Sequence, residues 1–172
     1  MRLAYRARQF LRSITARVDP LELTLAEKIL SPELMTLFHK MAAADQAHSL
    51  RVLQELLKAG EKDPDLLAAA LLHDIGKSCC PLTPFERALI VLANRARPEL
   101  VIRLGQRSSR GPLRAFATAV QHPAWGAEMV EANGGSARLC ALIRYHQEPV
   151  PGIEGEELRL LISRLQQADN RH

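Results

Sequence analysis

The chain has 172 residues, a formal net charge of +4, 47% hydrophobic residues and only 4% aromatic ones. That length fits one domain with room for a buried site, and no apolar run approaches the roughly 18 residues a membrane span needs. Leu and Ala dominate while aromatic and β-branched residues are few, a mix that favours packed helices over a sheet.

Residues 1–18 hold five arginines (Arg2, Arg6, Arg8, Arg12, Arg17) and no acid. The segment reads either as a transit-type leader or, preferably, as an amphipathic helix over 2–17 with Leu3, Phe10, Leu11 and Ile14 on one side. Further helices are expected over 21–29, 32–43, 45–59, 64–74, 84–96, 112–121, 123–132, 136–147 and 155–169. Three of them open on a capping residue followed by proline, at Ser31-Pro32, Asp63-Pro64 and Thr83-Pro84, because proline fits the first helical position. Gly60 and Gly134-Gly135 stop two others.

The 98–111 segment is polar and rich in Arg, Ser and Gly, the composition of a mobile loop. Between 95 and 114 six arginines (Arg95, Arg97, Arg103, Arg107, Arg110, Arg114) face a single acid, Glu99, and outside these two basic stretches acids outnumber bases. Basic segments can attract phosphates, RNA or an anionic membrane. The plainer reading, arginines on solvated helix faces, is preferred, and nucleic acid is not the expected partner. Cys79, Cys80 and Cys140 are odd in number and lack a CxxC spacing, which suits reduced thiols in a cytoplasmic chain.

Residues 66–72, Leu-Leu-Ala-Ala-Ala-Leu-Leu, are apolar on every side and mark a helix at the centre of the domain. That helix runs straight into His73-Asp74, and buried polar groups are costly unless paired. Other helices deliver similar groups. His48 precedes Val52 and Leu56 by one and two turns, and His122 closes an apolar stretch with Phe116, Ala119 and Val120. His146 follows Leu142 and Ile143, and Asp169 ends a stripe of Leu158, Ile162 and Leu165. A lone His-Asp pair, or one histidine on an apolar face, is most simply a hydrogen-bonded core residue. The ordered set with gaps of 25, 48, 24 and 23 residues is stronger, since each gap allows an antiparallel helix pair that returns the chain to the same place. Four imidazoles and two carboxylates suit iron, manganese or a similar divalent ion better than Mg²⁺.

The set resembles the HD superfamily of metal-dependent phosphohydrolases. The matching residues are Ala47-His48-Ser49-Leu50, Leu71-Leu72-His73-Asp74-Ile75-Gly76-Lys77, His122-Pro123-Ala124-Trp125-Gly126-Ala127, Tyr145-His146-Gln147-Glu148 and Ala168-Asp169. The resemblance covers about residues 45–170. It implies an all-α, single-domain helical bundle whose central buried helix ends in the His-Asp dyad, with residues 45–172 as the phosphohydrolase domain and helices of 1–44 packed on its core. It also implies that His48, His73, Asp74 and Asp169 hold one divalent ion, and that His122 and His146 hold a second, with Asp74 bridging. Two such ions can clamp a phosphate and activate a water.

The activity implied is cleavage of a phosphoester or phosphoanhydride, with a nucleotide as the small-molecule substrate and Asp74 and Lys77 as the catalytic pair. Lys77 is equally well an ordinary surface lysine. Gln147 stands where the cyclic-di-GMP phosphodiesterase branch has a second histidine, and no Gly-Tyr-Pro follows. The pattern is closer to the compact dinuclear branch that includes bacterial diadenosine-tetraphosphate hydrolases. A different class of function, a non-catalytic nucleotide-binding or signalling module on the same scaffold, remains open, and no oligomeric state follows. Gly76 is expected to end the central helix, and Trp125 to pack in the core rather than stack a base. His39 is expected at a helix boundary, His172 in a mobile terminus, and Glu148 on the surface.

Overall fold

The computed structural model describes residues 20–107 and 111–171, so the helix expected over 2–17, the Arg110 position and His172 lie outside it. Among the described residues nine α-helices and three short 3₁₀ turns build one all-α domain without strands. The helices are α1 Pro20–Ile29, α2 Pro32–Lys40, α3 Ala43–Lys58, α4 Pro64–Leu72, α5 Pro84–Ala96, α6 Pro98–Gly105, α7 Arg114–Ala132, α8 Ala137–Tyr145 and α9 Glu156–Asp169. The 3₁₀ turns span Ile75–Cys79, Gly111–Leu113 and Val150–Gly152.

α4 is the axis of the molecule. Asp63 caps it by accepting the Leu66 amide, and Pro64 occupies its first turn. Every residue from Leu66 to Leu72 is buried, and each fully buried leucine contributes about 1.5–3 kcal/mol. Ala26 of α1, Leu34 and Phe38 of α2, Leu53 of α3, Leu142 of α8 and Leu165 of α9 join the same core, with Leu30 from the link between α1 and α2.

Three expectations about boundaries need correction. The helices expected over 112–121 and 123–132 are one helix, α7, which runs through Pro123. An interior proline cannot donate to the carbonyl four residues back and normally costs about 3 kcal/mol. Here the burial of Ala115, Ala117 and Thr118 on one side of it, and of Gly126, Ala127 and Val130 on the other, holds the helix continuous. The 98–111 segment is not simply a loop, because Pro98–Gly105 forms α6 with Val101 and Gly105 buried. A Cβ on Gly105 would stand 2.4 Å from Val120 Cγ2, so this glycine lets α6 lie directly on α7.

Gly76 does not end the central helix. α4 stops at Leu72, with His73 as its cap, and Gly76 sits in the following 3₁₀ turn at a negative φ. Its missing side chain serves packing instead. A Cβ there would fall 2.0 Å from the His122 carbonyl oxygen and 2.8 Å from the Gly126 nitrogen. The turn after the dyad is thereby pressed against the middle of α7. Gly60 and Gly134 do terminate α3 and α7, both with φ of 82°.

Candidate metal centre

Six side chains from five places along the chain meet at one end of α4. His48 comes from α3, and His73 and Asp74 directly follow α4. His122 comes from the middle of α7, His146 follows α8, and Asp169 is the last residue of α9. His73, Asp74, His122 and His146 are all at most 3% exposed. The imidazoles form an edge-to-face row, with ring centroids 5.4 Å apart from His48 to His73, 5.2 Å from His73 to His146 and 5.3 Å from His146 to His122.

The backbone fixes how the three buried rings are protonated. His73 Nδ1 is 3.1 Å from the Ala70 carbonyl, His122 Nδ1 is 2.8 Å from that of Thr118, and His146 Nδ1 is 2.7 Å from that of Ile143. A carbonyl only accepts, so each Nδ1 donates, and in the neutral ring each Nε2 is a bare lone pair. All three Nε2 atoms are buried without a hydrogen-bond partner. His122 Nε2 lies 3.2 Å from Asp74 Oδ1, but for a neutral ring with its proton on Nδ1 that is a meeting of two acceptors. Burial lowers the His73 pKa. Burial, with His73 and His122 close by, brings that of His146 to about 3. Both rings are therefore neutral at physiological pH, the form that ligates a metal.

The donor atoms fall into two sets, His48 with His73 and Asp169, and Asp74 with His122 and His146, each set lying within 4.8 Å. Two ligand atoms at about 2.0–2.2 Å from one ion are separated by no more than about 4.4 Å, so small inward adjustments bring either set into contact with a cation. His48 Nε2 is 2.8 Å from Asp169 Oδ1, and His73 Nε2 is 3.8 Å from the same oxygen. Asp74 touches both sets: Oδ1 faces His122 and, at 4.0 Å, His146, while Oδ2 is 3.5 Å from His73 Nε2. Burial alone would raise the Asp74 pKa, but the Lys77 ammonium outweighs it and holds the carboxylate well below its ordinary range. Burial likewise works against the Asp169 carboxylate, and the His48 hydrogen bond reverses the effect.

The centre opens into a cleft of about 720 Å³ lined by Lys77, Arg87, Ile90, Val91, His122, His146 and Asp169 among others. Lys77 Nζ reaches back to Asp74 Oδ2 at 2.5 Å. Burial would lower its pKa, but Asp74 and Asp45 raise it, so the cleft floor keeps a cation. Sequence reasoning missed the second cation. Arg87 makes a two-pronged pair with Asp45, at 2.7 and 2.8 Å, and Asp45 is only 6% exposed. One signal was available, since Asp45 lies three residues before His48 and so shares its helix face. Asn94, Gln147, Gln166 and Asn170 add amides to the walls. Glu148 is exposed and lines the same cleft. Trp125 is half-buried in a separate surface hollow beside Cys79, Cys80 and Met129, away from this centre, and His39 is exposed at the end of α2.

The family model of the HD domain matches residues 46–172. No curated protein and no solved structure matches the chain.

Proposed function

The chain belongs to the HD domain family, and from that premise we propose that it is a metal-dependent phosphohydrolase acting on a phosphoester or phosphoanhydride of a nucleotide. The observation that carries this reading is the trio of buried, partnerless Nε2 atoms on His73, His122 and His146. Three lone pairs left facing one another in the interior are costly, and a divalent cation satisfies them. In this reading His48, His73, Asp74 and Asp169 hold one ion, and Asp74, His122 and His146 hold the other, with iron or manganese suiting the nitrogen-rich set. Bound there, such ions would supply Lewis-acid charge to a phosphoryl group and would lower the pKa of a water to about 7.

The remaining work falls to the chain. Asp74 ties the two halves of the centre together through its separate oxygens. Lys77 and Arg87 line the cleft beyond the ligands and offer cationic donors to phosphate oxygens. Residues 20–44 act as scaffold, with α1 and α2 closing the core behind α4. The cleft volume lies in the range of small-molecule sites, and its amides provide the polar contacts a nucleotide can use. The free Cys79, Cys80 and Cys140 thiols support a reducing, cytoplasmic setting. No described helix is long and apolar enough to cross a membrane.

The test is hydrolysis of generic phosphoesters and of a nucleotide panel with Mn²⁺, Fe²⁺ or Co²⁺, beside elemental analysis of the purified protein. Activity that disappears in His73→Ala and Asp74→Asn supports the reading. Activity that survives both, or none at all in metal-loaded protein, overturns it. Tight nucleotide binding without turnover would assign the chain instead to the binding-module class.

A further inference from the structure

Helix α5 is unlike every other described helix because none of its thirteen residues is buried, although its sequence is largely apolar. Its two sides do different things. Arg87, Ile90, Val91 and Asn94, spaced i, i+3, i+4 and i+7, line the cleft. Phe85, Leu89 and Leu92 point the opposite way, and are 77%, 42% and 66% exposed. Single exposed apolar residues are ordinary, but a phenylalanine and two leucines forming one stripe along a helix are not. On the adjoining α6, Ile102 is 50% exposed.

This apolar stripe has a rim of one charge. Arg95 lies one turn beyond Leu92, Arg97 is the single residue joining α5 to α6, Arg103 follows Ile102, and Arg107 lies just past the end of α6. All four are exposed. Among the described residues Arg87 is paired with Asp45, Arg114 with Glu86, Arg138 with Asp63 and Asp65, and Arg164 with Glu61, while Arg51, Arg144 and Arg159 are scattered singly without an ion pair. The four rim arginines have no ion pair among the described residues, and Glu99 is the one acid between 88 and 107.

We propose that the α5–α6 face is a docking surface for an anionic lipid bilayer, with Phe85, Leu89, Leu92 and Ile102 entering the interface and Arg95, Arg97, Arg103 and Arg107 meeting the headgroups. A helix with bulky apolar residues on one side and arginine at its edges lies in the interfacial plane without spanning it. A second copy of the chain fits less well, because a two-fold contact through this patch would oppose like-charged rims. RNA would use the arginines and leave the apolar stripe unexplained. The proposal does not depend on the catalytic reading, since its readout is binding.

The test is co-sedimentation of the full chain with vesicles of phosphatidylcholine alone and of phosphatidylcholine mixed with phosphatidylglycerol. Binding to the mixed vesicles only is expected, weakening as salt is raised. Each arginine replaced by glutamine should lower partitioning about fivefold, and Phe85→Ser/Leu92→Ser should lower it at least about tenfold. The exposed positions of Phe85 and Leu92 mean that this double variant keeps its melting temperature and its metal content. No binding to anionic vesicles, or equal binding by Phe85→Ser/Leu92→Ser, overturns the proposal. So does a dimer in the unmodified chain that dissociates in that variant, which would assign the face to self-association.

Discussion

Lys77 Nζ sits 2.5 Å from Asp74 Oδ2, the carboxylate oxygen that also faces His73. The lysine thus occupies an oxygen that a cation in the first donor set would share. Replacing Lys77 by Met frees that oxygen and leaves the carboxylate uncompensated. Mn²⁺ binding, followed by calorimetry, should tighten several-fold, while turnover of a phosphoester falls by about 10²-fold from loss of a cationic donor in the cleft. Unchanged turnover would return Lys77 to the role of an ordinary surface residue.

The split of donors between two sets predicts separable losses. His122→Ala and His146→Ala should each reduce bound metal from about two ions per chain to about one, read by elemental analysis. His48→Ala should do the same through the other set, whereas Asp74→Asn weakens both. Loss of all metal in His146→Ala would show that the sets are one site.

Acid should destabilise the metal-free protein. In the unfolded chain His146 takes up a proton near pH 6.5, but in the fold it does so only near pH 3. Between those values the unfolded state binds more protons, so stability falls as pH is lowered. For His146 alone the loss from pH 7 to 5 is about 2 kcal/mol, and His73, shifted in the same direction, adds to it. The lowered Asp74 and Asp169 carboxylates add a loss of the same sign at lower pH still. Urea titrations of chelator-treated protein at both pH values measure this, and a flat profile would contradict neutral buried rings.

Gly76→Ala should be severe despite being a single methyl. The new Cβ meets backbone at the His122 carbonyl, which cannot rotate aside, so the cost is at least about 2 kcal/mol. The strain falls on the stretch of α7 that carries His122. Metal content should therefore drop along with the melting temperature, and a variant that melts normally would discount the close approach.

Arg87→Ala leaves Asp45, nearly wholly buried, without its two-pronged partner. Arg87 is itself about a third exposed, which reduces the penalty to roughly 1–3 kcal/mol. The Michaelis constant for a phosphate substrate should rise with it. Arg87→Lys should recover part of the stability but less of the binding, because an ammonium cannot span both oxygens.

The all-helical architecture was legible because apolar periodicity and Ser/Asp/Thr-Pro starts are local signals. α4 could be placed at the centre from the run Leu66–Leu72 alone. The six donor positions could be collected from their order and spacing, each at the polar end of an apolar stripe. Local signals also misled. Pro123 looked like a helix break, and only the burial on both sides of it explains its tolerance. The 98–111 composition hid α6, which depends on Gly105 lying against α7. The Arg87–Asp45 pair joins positions 42 residues apart, and charged residues on a helix carry no mark of the partner they will meet. Gly76 was read through backbone freedom, whereas its reason lies in a neighbour distant in sequence.

Each buried imidazole takes its bearing from a carbonyl three or four residues earlier in its own segment. The aim of the rings is therefore set by the helical turn that carries them and exists before any ion arrives. A pocket so pre-aimed surrenders little freedom on loading and has little slack to widen. Preference among divalent ions should then track ionic radius, with large calcium-like ions excluded by a frame that will not stretch.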